Sequence, residues 1–483
     1  MPPIPHLELF VAGKRGPSAS GETVPSLNPS EPSDVVARVP VGAASDVDRA
    51  VSAAAEAGEA WRRLPGSARA EHLYRWSEAV GAGGEVLAQA MAREVGKPIA
   101  EARGEASRGV AILRYYAGEA VREAGSVIPS QLPETLQLTL REPLGVVGLV
   151  TPWNFPVAIP LWKAAPALAF GNTVVLKPAE ASSGVASLLA DTAEAAGLPP
   201  GVFNVVFGLG PVVGEALVSH PGVRGVSFTG SAAVGGRVAE ICARRNVRYQ
   251  TEMGGKNAAI VLSDADLPRA GALTISGAMR FAGQKCTATS RVIVERKIWD
   301  EFLPLLASQA AALPIGPVTD PAAAVGPLVS EASRTRVMRI LAAESCRVHA
   351  GGGLPRDPRF HSGWFLAPTV LSEVGPASPL LCEELFAPVL VAIPASGLEE
   401  ALAAANATPY GLSAALFTRD VKSALTYVRR IEAGLVRING DTTGVDPHAP
   451  FGGMKGSSSG SREQGPAARD FYTEIKTVQI AGG

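Results

Sequence analysis

Three side chains in this 483-residue chain are placed where their neighbours would let them do chemistry. Cys286 stands in FAGQKCTATSRVIV, where Gly283, Thr287, Ala288 and Ser290 leave room around the sulfur, whereas a cysteine in a buried strand is more often walled by bulky apolar residues. A thiolate there can attack a carbonyl carbon, and the adjacent Lys285 would favour the thiolate. Glu252, in QTEMGGKNAAIVL, ends a strand pattern just before two glycines. The glycines let the backbone turn tightly and leave the carboxylate beside open space, where it can take a proton from water; it can equally cap a helix or pair with Lys256. Asn154, in TPWNFP, sits in a loop stiffened by prolines on both sides. Its amide can donate to an oxyanion, an interaction worth about 3 kcal/mol in a transition state, or it can brace its own turn. A nucleophile, an oxyanion donor and a base are the parts that make and hydrolyse a thioester; a bound hydride acceptor would make the sequence oxidative.

A hydride acceptor needs a dinucleotide site. FGLGPVVG offers Gly208, Gly210 and Gly214, one residue too long for GxGxxG, and no acidic residue follows about 20 positions on at a strand end, so it is rejected as a fingerprint. GVSFTGSAAVGGRVAE is better: a strand, then Thr229-Gly230-Ser231, then a helix whose bare N-terminal amides suit a pyrophosphate. The run NTVVL leads into Lys177-Pro178-Ala179-Glu180, which puts a cation and an acid at a strand's C-terminal end, where α/β sheets bind ligands.

These residues need an α/β framework. From about residue 144 to 260, the short β-branched runs VVGLV, NTVVLK, NVVF, GVSF and AAIVL alternate with helices expected to start near Ser183, Pro211, Ala232 and Leu267, the signature of a parallel sheet with crossover helices. A second α/β set follows, with strands RVIVE, PTVL, PVLVAI, SAALF and LVRIN and helices over 297–313, 330–345, 398–406 and 420–433. Before them, Val47–Leu64 and Ala68–Glu94 each read as one amphipathic helix, N-capped by Asp46 and Ser67. TLQLTLR (135–141) and FYTEIKTVQI (471–480) read as strands.

Composition adds exclusions. Lys plus Arg (44) balances Asp plus Glu (45), which gives no electrostatic reason to expect nucleic acid or an anionic membrane as partner. Pro143–Trp162 is uncharged, but its four prolines would break a membrane-spanning helix repeatedly. Four dispersed cysteines without a CxxC pair point to neither a disulfide framework nor a zinc ribbon, so no metal is expected, and they fit a reducing cytoplasm. The N-terminus shows no basic-then-apolar secretory pattern.

Taken in order, TPWNFP, LKPAE, FTGSAAVG, EMGGKN, GQKCTATSR, CEELFAPV, PYGLSA and PFGGMKGSSSG resemble the signatures of the aldehyde dehydrogenase superfamily along nearly the whole chain. The resemblance implies Cys286 as nucleophile, Glu252 as general base, Asn154 with the Cys286 amide as oxyanion donors, and Lys163 as a lysine near the base. It also implies a cofactor set: Lys177 and Glu180 on the adenosine ribose, Gly230 and Ser231 on the pyrophosphate, Glu384 and Phe386 on the nicotinamide ribose and ring, with Thr151, Pro152, Trp153 and Gly254 completing it. Ala387 departs from the usual glycine, and its methyl is expected to tighten the cofactor channel.

The implied fold is α/β and aldehyde dehydrogenase-like. A Rossmann-like coenzyme domain would span 1–120 and 144–254, a catalytic domain 255–455, and an oligomerisation arm with the C-terminal strand 121–143 and 456–483. An edge strand such as FYTEIKTVQI invites pairing with a second subunit, so a homodimer or homotetramer is expected. The cofactor is NAD, favoured by Glu180, which repels a 2′-phosphate; Lys177 leaves NADP open. The C-terminal stretch, GQKCTATSR and ARDFYT are similar to the branch that oxidises α-ketoglutaric semialdehyde (2,5-dioxopentanoate), with departures at Pro447, Ser459 and Ser461 near the expected substrate mouth. Arg280, Lys285 and His448 are the cations nearest by sequence for a substrate carboxylate. The competing readings are a dehydrogenase for another aliphatic or aromatic aldehyde, a CoA-acylating dehydrogenase, a cysteine hydrolase, for which no histidine has a supporting motif, and a silent homologue, which would be expected to lack one of Asn154, Glu252 or Cys286.

Overall fold

The β-branched runs of the middle third form the centre of an eight-stranded sheet. In the computed structural model, which describes residues 4–482, the strand order is Lys14–Gly16, Leu9–Val11, Phe203–Val205, Thr173–Pro178, Val146–Thr151, Val223–Thr229, Arg248–Glu252, Ser458–Gly460. The five strands from Phe203–Val205 to Arg248–Glu252 are parallel, and the flanking pairings are antiparallel. Helices cover both faces, so the central strands are buried: every residue of Thr173–Pro178 is buried, including Lys177.

A second sheet carries the second α/β set, in the order Arg347–Ala350, Thr369–Ser372, Val389–Ala395, Thr289–Glu295, Asn257–Val261, Ser413–Phe417, Leu435–Ile438, parallel except at its first pairing. The chain passes from one sheet to the other between Glu252 and Asn257. That crossing and the turn before Thr289–Glu295 bring the candidate residues together.

Several expected boundaries move, each for a local reason. Ala68–Glu94 is two helices, Gly66–Ala82 and Gly84–Val95, because Gly83 interrupts a pattern whose periodicity continues through it. Asp46 is no N-cap: the helix Ala44–Arg63 starts after Ala43, and the Asp46 carboxylate accepts from the amides of Ala43 (2.9 Å) and Ala19 (3.0 Å) from inside the first turn. Ser67 likewise lies inside its helix, which follows Pro65. The helix expected near Pro211 is one π turn, Gly210–Gly214, and a short helix, Glu215–Ser219. The uncharged run Pro143–Trp162 divides into the strand Val146–Thr151, the TPWNFP loop and the start of the buried helix Ala158–Ala169. Among the described residues, no helix is long and apolar enough to cross a membrane.

A separate three-stranded sheet joins Val127–Ile128, Thr135–Pro143 and Thr473–Ala481. Phe471 and Tyr472, expected in the last strand, instead end the helix Ala467–Tyr472 with both rings buried. Between residues 456 and 472, Ser458–Gly460 pairs with Arg248–Glu252 of the first sheet. Residues 1–3 and 483, which open and close the expected segments, lie outside the described residues.

Candidate active site

Glu252 is the last residue of its strand, at the C-terminal edge of the first sheet, in register with Thr229 on one side and Ser458 on the other. Its Oε2 accepts from Ser458 Oγ at 2.6 Å, while Oε1 is buried without a partner. Neither alternative use of this carboxylate is realised: Lys256 Nζ donates to the Glu383 carbonyl at 2.6 Å, and no helix begins at Glu252. Burial pushes the Glu252 carboxyl well above its ordinary range, Glu463 pushes the same way, and Ser458, Lys163 and Arg462 oppose them. Lys163 is buried, pairs with Glu463 and donates to Ser227 Oγ at 2.7 Å; Trp162 Nε1 donates to the other Glu463 oxygen at 2.8 Å. Lys163 therefore acts on Glu252 by charge, without a direct hydrogen bond.

Cys286 follows a backbone feature that its sequence did not announce. Phe281, Ala282 and Gly283 are consecutive left-handed residues, with φ of 52°, 52° and 66°. Only glycine fits the third position, because a Cβ there would lie 2.4 Å from the Ala387 carbonyl. Such non-glycine conformations cost of the order of 1–3 kcal/mol each and persist where the surroundings enforce them. Here the ties are numerous. Gln284 O accepts from Asn154 Nδ2 (2.9 Å), Gln284 Oε1 accepts from the Val329 amide (2.9 Å), and Asn257 Nδ2 donates to Cys286 O (2.8 Å). The expected help from Lys285 is not there, because its ammonium pairs with Glu101 at 2.8 Å. Burial instead raises the Cys286 thiol above its ordinary value, reinforced by the Glu384 and Glu252 carboxylates and opposed by the amides of Thr287 and Cys286.

Asn154 is buried, and its side chain braces no turn of its own: it crosses to the Cys286 loop. A carboxamide nitrogen has two hydrogens, so the bond to Gln284 O leaves one N–H free. The loop is anchored from behind by the buried Lys97, which pairs with Glu105 and donates to the Asn154 carbonyl at 2.7 Å; Glu105 also accepts the Val157 and Ala158 amides.

Most of the predicted cofactor residues lie along the strand ends of the first sheet, while Glu384 and Phe386 come from the loop before Val389–Ala395 of the second. Lys177 Nζ and the Gly210 amide both donate to Glu180 Oε1 at 2.9 Å, leaving Oε2 open. Gly230 N donates to the Glu252 carbonyl at 3.0 Å, and Ser231 opens the helix Ala232–Arg244 with a hydroxyl that caps nothing. Thr151 and Thr229, at the ends of two strands, have buried hydroxyls without partners. Past Pro152, the Trp153 ring meets Phe386 edge-on at 5.6 Å. At Gly254 a Cβ would fall 2.2 Å from Glu384 Oε2, so a side chain there would displace that carboxylate. Glu384 Oε1 accepts from the Gly255 amide at 2.9 Å, and burial pushes its carboxyl up to about 7.

Beside these residues, Val150, Pro211, Phe228, Val234, Val238 and Ile241 line an apolar cleft of about 340 Å³. Unpartnered hydroxyls, two acceptor carboxylates, a helix N-terminus and an apolar cleft fit the ribose, pyrophosphate and flat base of a dinucleotide. The rejected motif FGLGPVVG supplies part of the cleft wall through Gly210, Pro211 and Gly214, so it serves the site without being a fingerprint. Ala387 does not narrow a channel: its methyl is packed in the core of the second sheet.

A second cavity, of about 170 Å³, opens on Cys286 and is walled chiefly by Phe155, Trp162, Phe451 and Arg108. Two of the three cations nominated for a substrate carboxylate are elsewhere: Arg280 is exposed, and His448 is exposed with its ring 6.4 Å from Tyr115. Lys285 lines the cavity, but already paired to Glu101. Ser459 and Ser461 bond Thr251 (2.8 Å) and Gln250 (3.4 Å) on the Glu252 strand, and neither they nor Pro447 line the cavity. Two site residues were missed, Ser458 and Arg108. A serine in a serine-rich loop and an arginine on a long helix carry no local signal of what they face.

The sequence profile described as "Aldehyde dehydrogenase family" matches residues 17–478. The alpha-ketoglutaric semialdehyde dehydrogenase of Bacillus subtilis is 45% identical over 474 residues, 98% of this chain and 97% of that protein. The alpha-ketoglutarate semialdehyde dehydrogenase of Haloferax volcanii is 42% identical, over 97% and 98% of the two chains. The crystal structure of an NAD-dependent aldehyde dehydrogenase from Sinorhizobium meliloti superposes with a TM-score of 0.94 at 37% identity, covering 99% of this chain and 95% of that one.

Proposed function

The chain belongs to the aldehyde dehydrogenase family, and from that premise we propose that it oxidises α-ketoglutaric semialdehyde to the dicarboxylic acid, with NAD as hydride acceptor, through a thioester on Cys286. The observation that carries the assignment is the hydrogen bond from Asn154 to the Gln284 carbonyl, which fixes an unspent N–H beside the Cys286 turn. The substrate is supported by the names and extents of the Bacillus and Haloferax relatives.

Cys286 gives up its proton to solvent, and its sulfur bonds to the aldehyde carbon as the carbonyl π pair moves onto oxygen. The resulting oxyanion accepts from Asn154 Nδ2–H and the Cys286 amide, donors held in place before the substrate arrives. A bound NAD would supply the hydride acceptor that the conversion of this adduct to a thioester requires. Glu252 then takes a proton from water through the free Oε1; the water oxygen bonds to the acyl carbon, the carbon–sulfur bond breaks, and Glu252 returns its proton to the departing sulfur, so that the acid leaves with Cys286 as a thiol again. Burial raises this carboxyl, which makes its carboxylate a stronger base toward water. Lys163 serves as a positioning residue through Glu463. An acyl transfer to CoA would have no use for a base so placed.

Lys177 and Glu180 would hold the adenosine ribose, Gly230 and Ser231 the pyrophosphate, and Glu384 and Phe386 the nicotinamide ribose and ring, with Thr151, Pro152, Trp153 and Gly254 lining the way between them. Because Lys177 is already neutralised by Glu180, a 2′-hydroxyl is better received there than a 2′-phosphate, which favours NAD over NADP. The first sheet with its helices serves as coenzyme domain and the second as catalytic domain. The three-stranded sheet serves as the arm of a dimer or tetramer, a role supported by exposed apolar residues such as Val127 (76%) and Ile475 (64%). Four free cysteines support a cytoplasmic location.

An aldehyde panel at fixed NAD and at fixed NADP tests the proposal: α-ketoglutaric semialdehyde should rank first by kcat/KM over succinic semialdehyde and over aliphatic and aromatic aldehydes, and its ranking last would refute the substrate.

A further inference from the structure

Arg108 stands on the helix Ile99–Glu119, with its guanidinium in the wall of the Cys286 cavity. One Nη donates to the Val445 carbonyl. The Nε is buried and has no partner, and among the described residues no carboxylate lies within ion-pair distance of the group. Its carbon centre lies 5.9 Å from the centroid of the Trp162 ring. Glu105, on the same helix, is committed to Lys97 and to two backbone amides, and Asp446 is exposed; both favour the charge, yet burial outweighs them and lowers the Arg108 pKa.

A guanidinium cannot shed its charge at physiological pH, so half-burying one, with its Nε sealed from water and no paired anion, is costly unless something arrives to pair with it. The rest of the wall offers no rival. Phe155, Trp162 and Phe451 are aromatic, and the ammonium of Lys285 is taken by Glu101. The cavity wall thus holds a nucleophilic sulfur, aromatic surface, and a half-buried planar cation with no ion-pair partner and donors to spare.

We propose that Arg108 is the anion anchor of this enzyme, receiving the carboxylate of the substrate while the aldehyde carbon meets Cys286. This rests on the semialdehyde reading above and gives it a residue. The preferred substrates are then aldehydes carrying a terminal carboxylate, and neutral aldehydes of equal length are rejected because they leave the cation desolvated and unpaired. The same contact would hold the dicarboxylate product in the cavity.

The test compares wild type, Arg108→Gln and Arg108→Lys on α-ketoglutaric semialdehyde and on pentanal, a neutral five-carbon aldehyde, at saturating NAD. In Arg108→Gln the ratio of kcat/KM for the semialdehyde to that for pentanal should fall about 100-fold, mostly through KM, the scale of a lost charged hydrogen-bond pair. Arg108→Lys should fall in between, because it keeps the charge without the fork. A second measurement needs no turnover: glutarate should protect Cys286 of the wild type from alkylation by iodoacetamide and fail to protect Arg108→Gln. A ratio within about threefold of wild type, with glutarate protection intact in Arg108→Gln, overturns the inference and leaves the substrate reading standing. Glutarate protection lost in Arg108→Gln, in an enzyme that prefers succinic semialdehyde to α-ketoglutaric semialdehyde, sustains the anchor while the substrate reading fails; a wild type that prefers pentanal overturns the anchor itself.

Discussion

Replacing Asn154 by alanine separates transition-state stabilisation from loop positioning. The Asn154 amide has one N–H on the Gln284 carbonyl at 2.9 Å and one free. Loss of the free one removes a donor from each tetrahedral adduct, and a single oxyanion-hole donor is worth about 2.7–4 kcal/mol, or 10²–10³ in kcat. Loss of the other strands the Gln284 carbonyl, which costs about 1–3 kcal/mol of stability. Because the oxyanion exists only after attack, KM should move little. The assay pairs rapid-mixing NADH formation with alkylation of Cys286 by iodoacetamide, a reaction that makes no oxyanion. The hydride step should slow by about 10²–10³, while alkylation stays within a few fold of wild type. A loss in kcat of less than about fivefold would place the donor elsewhere. Alkylation that slows in step with kcat would mean that Asn154 serves to position the Cys286 loop.

Other parts of the site make their own predictions. Ser458→Ala removes the hydrogen bond that favours ionised Glu252, so the acidic limb of thioester hydrolysis should move up by about one pH unit; an unmoved limb in pH-resolved burst kinetics would contradict this. Glu463→Gln leaves the buried Lys163 charge with only Ser227 and a neutral amide, and should destabilise the protein by about 3–5 kcal/mol in urea unfolding; a change below about 1 kcal/mol would show that Lys163 is neutral in the native state. Glu384 should be largely neutral below a pKa of about 7 and offer fewer acceptors to a ribose. Calorimetric NAD affinity should therefore weaken as pH falls through that value, and Glu384→Gln should flatten the profile; equal slopes in both proteins would assign the titration to another group.

What could be read in the sequence was what a few neighbouring residues determine. The central strands of the first sheet are buried on both faces, so VVGLV and the VVL of NTVVLK are apolar runs whose extents the structure matches to within a residue or two. The roominess around Cys286 and the glycines after Glu252 are local features, legible from neighbours alone, and both residues lie at the candidate site. Features set by distant packing were not legible. Gly83 splits a helix without interrupting its periodicity, and Phe471 and Tyr472 turn inward to end a helix in place of starting a strand. Lys285 is next to Cys286 in the chain but reaches Glu101, a partner that only the fold supplies. Arg108 and Ser458 are the clearest cases, since each meets the site through contacts hundreds of residues away, with Val445 and Glu252.

The central claim is that Cys286 carries the acyl group and Glu252 releases it. Glu252→Gln enzyme, mixed with NAD and α-ketoglutaric semialdehyde, quenched in acid and digested, should yield one acyl adduct on the peptide containing Cys286. It should form with a stoichiometric burst of NADH and be absent from Cys286→Ala. An adduct on another residue, or steady wild-type turnover by Glu252→Gln with no adduct at all, would contradict the account.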